Sequence, residues 1–160
     1  MNATLRPYTD HCAVKIASLP PLQQAAIHIL RQFAGEDGID RAIPDRLWSL
    51  MGPGRGARIA HLWADLLSLF DRFAHRPLQI RPLDDPIADS DEAGFAAMIA
   101  LGAEGERENV MFMVLMMVRA DVSPIVTSLA IQIGLSLRQG LLAEDGSAAR
   151  ATHHFANRLH

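Results

Sequence analysis

Two pairs of histidine and aspartate, four residues apart in a stretch with helical periodicity, are the side chains best suited to hold a metal ion. His61 and Asp65 form one pair, and Asp71 and His75 form the other. Residues four apart share one helix face, so either pair offers two ligands to zinc. The pairs span about 21 Å at 1.5 Å per residue and cannot share one site. Because a stable site needs more ligands, the sequence predicts a solvated face without metal or other cofactor.

The surroundings of His61 also suggest phosphoryl transfer. Residues 59–62 resemble the context of the reactive histidine in histidine phosphotransfer domains, which are helical bundles with one exposed histidine in mid-helix. The resemblance implies that His61 would accept a phosphoryl group. Asp65, one turn further along, would repel that group. His61 and Asp65 are therefore kept as an exposed candidate pair, and the solvated face is favoured.

A glycine-rich segment, residues 52–56 (GPGRG), precedes the same helix and offers groups that bind anions. The candidate anion-binding residues are Gly54, Arg55, Gly56 and Arg58. Backbone N–H groups, the helix dipole and two guanidinium groups together suit a phosphate or a carboxylate. The segment is not a Walker A motif, and its proline removes one donor. A turn between two helices, in which glycine provides a positive φ, is the favoured interpretation.

The remaining candidates for catalysis are weaker. Glu104 and Glu108 are four apart and would suit acid–base chemistry if they were buried, but acids at a helix start also complement the helix dipole. Neither a Ser-His-Asp nor a Cys-His arrangement has a local signature here. The sequence thus favours a non-enzymatic protein, although distant residues can converge on a site that no single sequence displays.

Composition restricts the partners and the compartment. The formal net charge of −3 disfavours a nucleic-acid partner, although residues 41–81 hold seven arginines against three acids and residues 82–108 hold eight acids against one arginine. The single cysteine, Cys12, suits a reducing cytoplasm. The N-terminal residues do not follow a secretory pattern. Fourteen arginines against one lysine indicate GC-rich coding and favour a bacterial source.

Hydrophobic periodicity predicts an all-α fold of about seven helices, as a bundle or an orthogonal array. A hydrophobic content of 49% with 21% charged residues is typical of a globular protein of this length. We predict a partly ordered arm over residues 1–17 and a single domain over residues 18–160. Residues 76–89, which contain three prolines, are expected to form the main loop.

Local signals predict where several helices start and end. Ser18 is expected to cap the first helix, with prolines 20 and 21 in its opening turn and with a polar face, Gln24, His28 and Arg31, opposite its apolar side. Asp89 or Ser90 is expected to cap a helix that starts at Asp91. Residues 144–146 (EDG) are expected to form a turn between the last two helices.

Nine consecutive apolar residues, 110–118 (VMFMVLMMV), include four of the seven methionines. A helix without a polar face is expected to be buried on every side. We therefore predict that this Met-rich helix lies at the centre of the fold. Met113, Val114, Met117 and Leu129 should be nearly inaccessible to solvent.

A transmembrane alternative for this region is disfavoured. A spanning helix needs about 20 consecutive apolar residues, and this run ends after nine, at residues 119–121 (RAD). The following helix contains several hydroxyl side chains, a glutamine and an arginine. The sequence therefore predicts helices buried in protein, with no membrane partner.

Small residues in the next helix suggest self-association. Thr127, Ala130 and Gly134 lie on one strip, and small residues at this spacing let another helix approach closely. We predict that this strip is the interface of a homodimer, and that the protein is a helical interaction or regulatory module with a possible second protein partner. The alternative is a small-molecule sensor or enzyme, with a Met-lined pocket near residues 110–118 and an anion site at Arg55 and Arg58.

Overall fold

The structure, a computed structural model, describes residues 13–35 and 44–156. These residues form an all-α fold, which confirms the predicted class. The five helices are α1 (Pro21–Ala34), α2 (Asp45–Phe73), α3 (Ser90–Glu104), α4 (Arg107–Met117) and α5 (Ser123–Ala156). A minor antiparallel sheet joins β1 (Val14–Lys15) to β2 (Ile87–Ala88), and one turn of 3₁₀ helix covers Ile16–Ser18. Of the predicted arm, residues 1–12 lie outside the described residues.

The number of helices is smaller than predicted because two of the expected turns are helical. Gly52 is the only non-helical residue inside α2, with φ 71° and ψ 178°, so two predicted helices meet there at a kink. Residues 144–146 (EDG) continue α5 instead of ending it. Glu144 pairs with Arg46 at the start of α2, and Gly140 lies against Leu50. These long-range contacts stabilise a helix that local propensity does not favour.

The helix starts predicted from local sequence signals lie close to those in the structure. Pro21 occupies the first position of α1, as expected, but Ser18 does not cap that helix; its hydroxyl donates to the Lys15 carbonyl at 2.7 Å. Asp89 caps α3, and Glu92 closes a capping box with the Asp89 backbone. Residues 76–89 form the predicted connection apart from the short strand β2.

The central helix is α3, which packs against α1, α4 and α5. Phe95, Met98 and Ile99 are completely buried on it. Trp63 of α2 lies between Phe33 and Phe95, with ring centroids 6.1 and 5.6 Å away. The core therefore forms around α3, not around the Met-rich segment.

The prediction of a central Met-rich helix is wrong. Only three residues of the segment are buried: Val110 and Val114 on the inner side of α4, and Val118 directly after its end. Met113 and Met117 are half-buried, as is Leu129, so of the four predicted positions only Val114 is inaccessible. α4 is a short helix at the edge of the bundle, where neighbours cover one side of it.

The small-residue strip lies inside the protomer. Thr127 and Ala130 are fully buried, and Gly134 lies against the backbone of α3. A Cβ on Gly102 would stand 2.6 Å from the Ala130 carbonyl oxygen, so α3 and α5 cross with their backbones almost in contact. The prediction that this strip forms a dimer interface is therefore wrong, because its close partner is α3 of the same chain.

Candidate functional site

The predicted anion-binding residues do not converge on a cavity. Gly54, Arg55 and Arg58 are exposed, whereas Gly56 is buried. The Arg55 guanidinium donates to the side-chain oxygen of Gln139 on α5. Neither of the two hollows described below is lined by these four residues. The positive φ expected of the glycine segment falls on Gly52.

The predicted histidine pair remains on the surface. His61 and Asp65 are both exposed on α2. Within residues 13–35 and 44–156, no three side chains of His, Cys, Asp or Glu are grouped so as to hold a metal ion. Glu104 and Glu108 are exposed as well, at the end of α3 and the start of α4. These carboxylates are not in a buried site suited to acid–base chemistry.

A cleft of about 340 Å³ opens beside α1 and combines basic and apolar side chains. We name it the cationic cleft. Its polar wall is formed by Gln24, His28 and Arg31 of α1 and by Arg46 of α2. Its apolar lining is contributed by Ile16, Pro21, Ala25, Ile27 and Leu83. These elements are far apart in sequence, and the polar side of α1, which was predicted to face solvent, forms part of the cleft wall.

The inner wall of the cleft is fixed by a buried ion pair. Arg31 donates from Nε to Glu92 Oε1 at 2.6 Å and from Nη2 to Glu92 Oε2 at 2.9 Å. It also donates to the carbonyls of Asp85 and Ile87 at 2.6 and 2.7 Å. The Glu92 carboxylate additionally accepts the backbone N–H groups of Arg81 and Asp89. One guanidinium thus ties α1 to α3 and to the loop before it, with both charges compensated.

The outer wall of the cleft is a looser ion pair. Arg46 donates to both oxygens of Glu144 at 2.8 and 3.0 Å, on a partly exposed surface. This hydrogen bond lowers the pKa of Glu144. Burial and then the positive charges of Arg46 and Arg31 lower the pKa of His28 below its ordinary value, which Asp45 opposes. The potential at His28 is therefore positive even though both arginines have acidic partners.

A second hollow, of about 170 Å³, is lined by His75, Arg76, Leu78, Asp91, Met116 and Met117. It is the nearest counterpart of the predicted Met-lined pocket, but it is smaller than the 300–1,000 Å³ typical of ligand sites. Arg55 lies about 30 Å away along α2, at 1.5 Å per residue. The two parts of the predicted ligand site therefore do not meet.

Among the described residues, the two most exposed large apolar side chains lie on neighbouring turns of the outer face of α4. Phe112 is 68% exposed and Met116 is 72% exposed, and Leu115 beside them is also exposed. We name these three residues the α4 outer face. α4 packs against α5, and the Thr127 hydroxyl donates a weak hydrogen bond to Met111 Sδ at 3.4 Å between them. The first turn of α5, with exposed Ile125, therefore lies beside the end of α4.

α5 passes a length and composition test for a membrane span. Ser123–Arg150 is long and apolar enough to cross a bilayer. The buried helices of soluble proteins pass the same test, and Val126, Ala130, Ile133 and Leu137 of α5 are fully buried against the other helices. This helix by itself is weak support for a membrane location.

Comparison of the chain with protein-family models, with curated proteins and with solved structures finds no match. Two surface features of the described residues are therefore the basis for a proposed function: the α4 outer face and the cationic cleft.

Proposed function

We propose that this protein is a non-enzymatic helical interaction module that acts as a homodimer, and that two copies meet at the α4 outer face. The supporting observation is the exposure of Phe112 and Met116 on one side of a single helix. Single exposed apolar residues are ordinary, but a continuous apolar stripe on one helix is typical of an interaction site. Phe112, Leu115 and Met116 occupy adjacent positions at i, i+3 and i+4.

Charges at the ends of the stripe favour a second copy as the partner. Glu108 and Arg119 are both exposed; Glu108 lies in the first turn of α4, and Arg119 lies two residues beyond its end, where it also pairs with Asp121 at 2.8 Å. In an antiparallel pair of α4 helices about a two-fold axis, Glu108 would approach the partner's Arg119 at both ends. Such rim charges set register and orientation more than they add affinity.

The interface predicts a clear difference between two apolar-to-acid substitutions. Phe112→Glu should shift the protein from dimer to monomer, because a carboxylate would be buried twice in each dimer at a cost of several kcal/mol. We expect the dimer dissociation constant to rise about 100-fold or more. Sedimentation equilibrium over the micromolar range measures it, and circular dichroism checks that the helices are retained.

Leu142→Glu is the matched control. Leu142 is 62% exposed on α5 and lies about 25 Å along the helix from Ile125, so the same substitution should leave the dimer unchanged. A wild-type monomer throughout the micromolar range would refute the proposed dimer. Flotation of that monomer with lipid vesicles, lost in Phe112→Glu, would instead assign the stripe to a membrane.

A further inference from the structure

The cationic cleft is a second feature, separate from the proposed dimer face, and its construction indicates a ligand. Its volume of about 340 Å³ is within the range of small-molecule sites. Three basic side chains line it, His28, Arg31 and Arg46, and the described lining includes no acidic residue. A hollow with basic groups on one wall and hydrocarbon on the others suits an anion with an apolar body.

Arg31 is held rigidly at the inner end of the cleft. It is 3% exposed, and its four hydrogen bonds to Glu92, Asp85 and Ile87 use four of its five N–H groups. Because the Arg31 side chain is 1% exposed, it contributes positive charge to the inner end of the cleft and no direct contact with a ligand.

Arg46 and His28 form the part of the cleft wall whose side chains can bind a ligand directly. Arg46 pairs with Glu144 on a partly exposed surface, so its guanidinium can be shared with a second carboxylate at little cost. His28, one turn before Arg31, is exposed to the same positive field. The charged groups that act on His28 are Arg31 on its own helix and Arg46 and Asp45 on α2.

We propose that the cationic cleft binds a small organic monocarboxylate, with its carboxylate at His28 and Arg46 and its apolar body against the accessible side chains of Ile16 and Leu83. An inorganic anion in the cleft would lose part of its hydration beside the apolar side chains and would gain no hydrogen bonds from them. An organic acid can instead place its hydrocarbon part against those side chains. A bound carboxylate adds negative charge beside His28 and favours the protonated imidazole. Binding therefore strengthens as the pH falls through the pKa of His28, and the ligand raises that pKa.

Benzoate is a suitable probe, with benzyl alcohol as its neutral counterpart and inorganic phosphate as the bare anion. Calorimetry of the full chain should show benzoate binding roughly tenfold or more tightly than either comparison compound. Proton NMR titration of the His28 ring, assigned with His28→Gln, should show a higher pKa with benzoate present. Equal binding of benzoate and benzyl alcohol, tighter binding of phosphate, or no benzoate binding would each overturn the proposal.

Substitutions locate the site. Arg46→Gln should weaken benzoate binding roughly tenfold, and Glu144→Gln should strengthen it severalfold because Arg46 loses its competing partner. Arg58→Gln is the matched control, since it removes the same charge from an exposed position of α2 outside the cleft. Equal effects of Arg46→Gln and Arg58→Gln would assign the binding to net charge and contradict the site. Because the cleft and the α4 outer face share no residue, Phe112→Glu should bind benzoate as the wild type does.

Discussion

Replacing Gly134 by alanine is expected to destabilise the fold severely, although it adds a single methyl group. The new Cβ would clash with the Ile99 carbonyl oxygen and lie 2.5 Å from the Ala103 backbone nitrogen. Both atoms belong to the backbone of α3, so no side-chain rotation relieves the overlap. We expect a loss of about 3 kcal/mol or more, the upper end of the cost of overpacking. Urea denaturation at one protein concentration measures this loss.

Gly94→Ala is the matched control for that substitution. Gly94 is also helical, in α3, but a Cβ there would meet nothing within 4 Å. Alanine should therefore stabilise the protein by about 0.5–1 kcal/mol, the difference in helix preference between the two residues. If Gly134→Ala left the unfolding free energy unchanged and only reduced dimer formation, the strip would lie at a subunit interface and the contact between α3 and α5 would be wrong.

Removing the guanidinium of Arg31 is the second substitution with a large expected effect. Arg31→Met leaves the Glu92 carboxylate, which is 0% exposed, without its cation. Breaking a buried pair in this way costs about 3–5 kcal/mol, a large part of the stability of a typical domain. The partly buried carbonyls of Asp85 and Ile87 also lose a donor. Urea denaturation should show the loss as a lower midpoint.

Two further variants test whether the loss of stability comes from breaking the buried ion pair or from removing any arginine charge. Arg46→Met breaks a two-bonded ion pair that is partly exposed, and it should cost about 1 kcal/mol or less. The double variant Arg31→Met with Glu92→Met should recover part of the loss, because no buried charge remains. Recovery is incomplete since the N–H groups of Arg81 and Asp89 lose their acceptor. Similar losses in Arg31→Met and Arg46→Met would contradict the structural role of the buried pair.

Signals that act over one or two helical turns were readable in the sequence. The proline at the start of α1, the Asp89 cap of α3 and the proline-rich connection over residues 76–89 are all found where they were predicted. These features depend on φ restriction and on hydrogen bonds between residues close in sequence. Where a distant partner intervenes, as Arg46 does at Glu144, the predicted turn was replaced by helix.

The candidate sites depended more strongly on distant partners. Arg31 was assigned to the polar side of α1, yet its partner Glu92 lies 61 residues further along the chain. In the sequence, Glu92 has a sufficient local role as the acidic residue of a capping box. Nothing in the sequence showed that its carboxylate also binds a buried arginine. The polar face of α1 therefore appeared to be an ordinary solvated face, and the cationic cleft was missed.

The sequence by itself determined the helical class, the starts of α1 and α3 and the small side chains that permit close helix packing. Tertiary structure decided which apolar helix is central and which helix the small residues contact. Hydrophobic composition states how much surface a helix must bury, but not which neighbour covers it. α3 packs against α1, α4 and α5 and against the aromatic rings of α2, whereas α4 is covered on one side and leaves Phe112 and Met116 exposed. That difference arises from long-range packing, because residues 93–103 and residues 110–118 are both unbroken apolar runs, and the sequence alone does not state which of the two the other helices enclose.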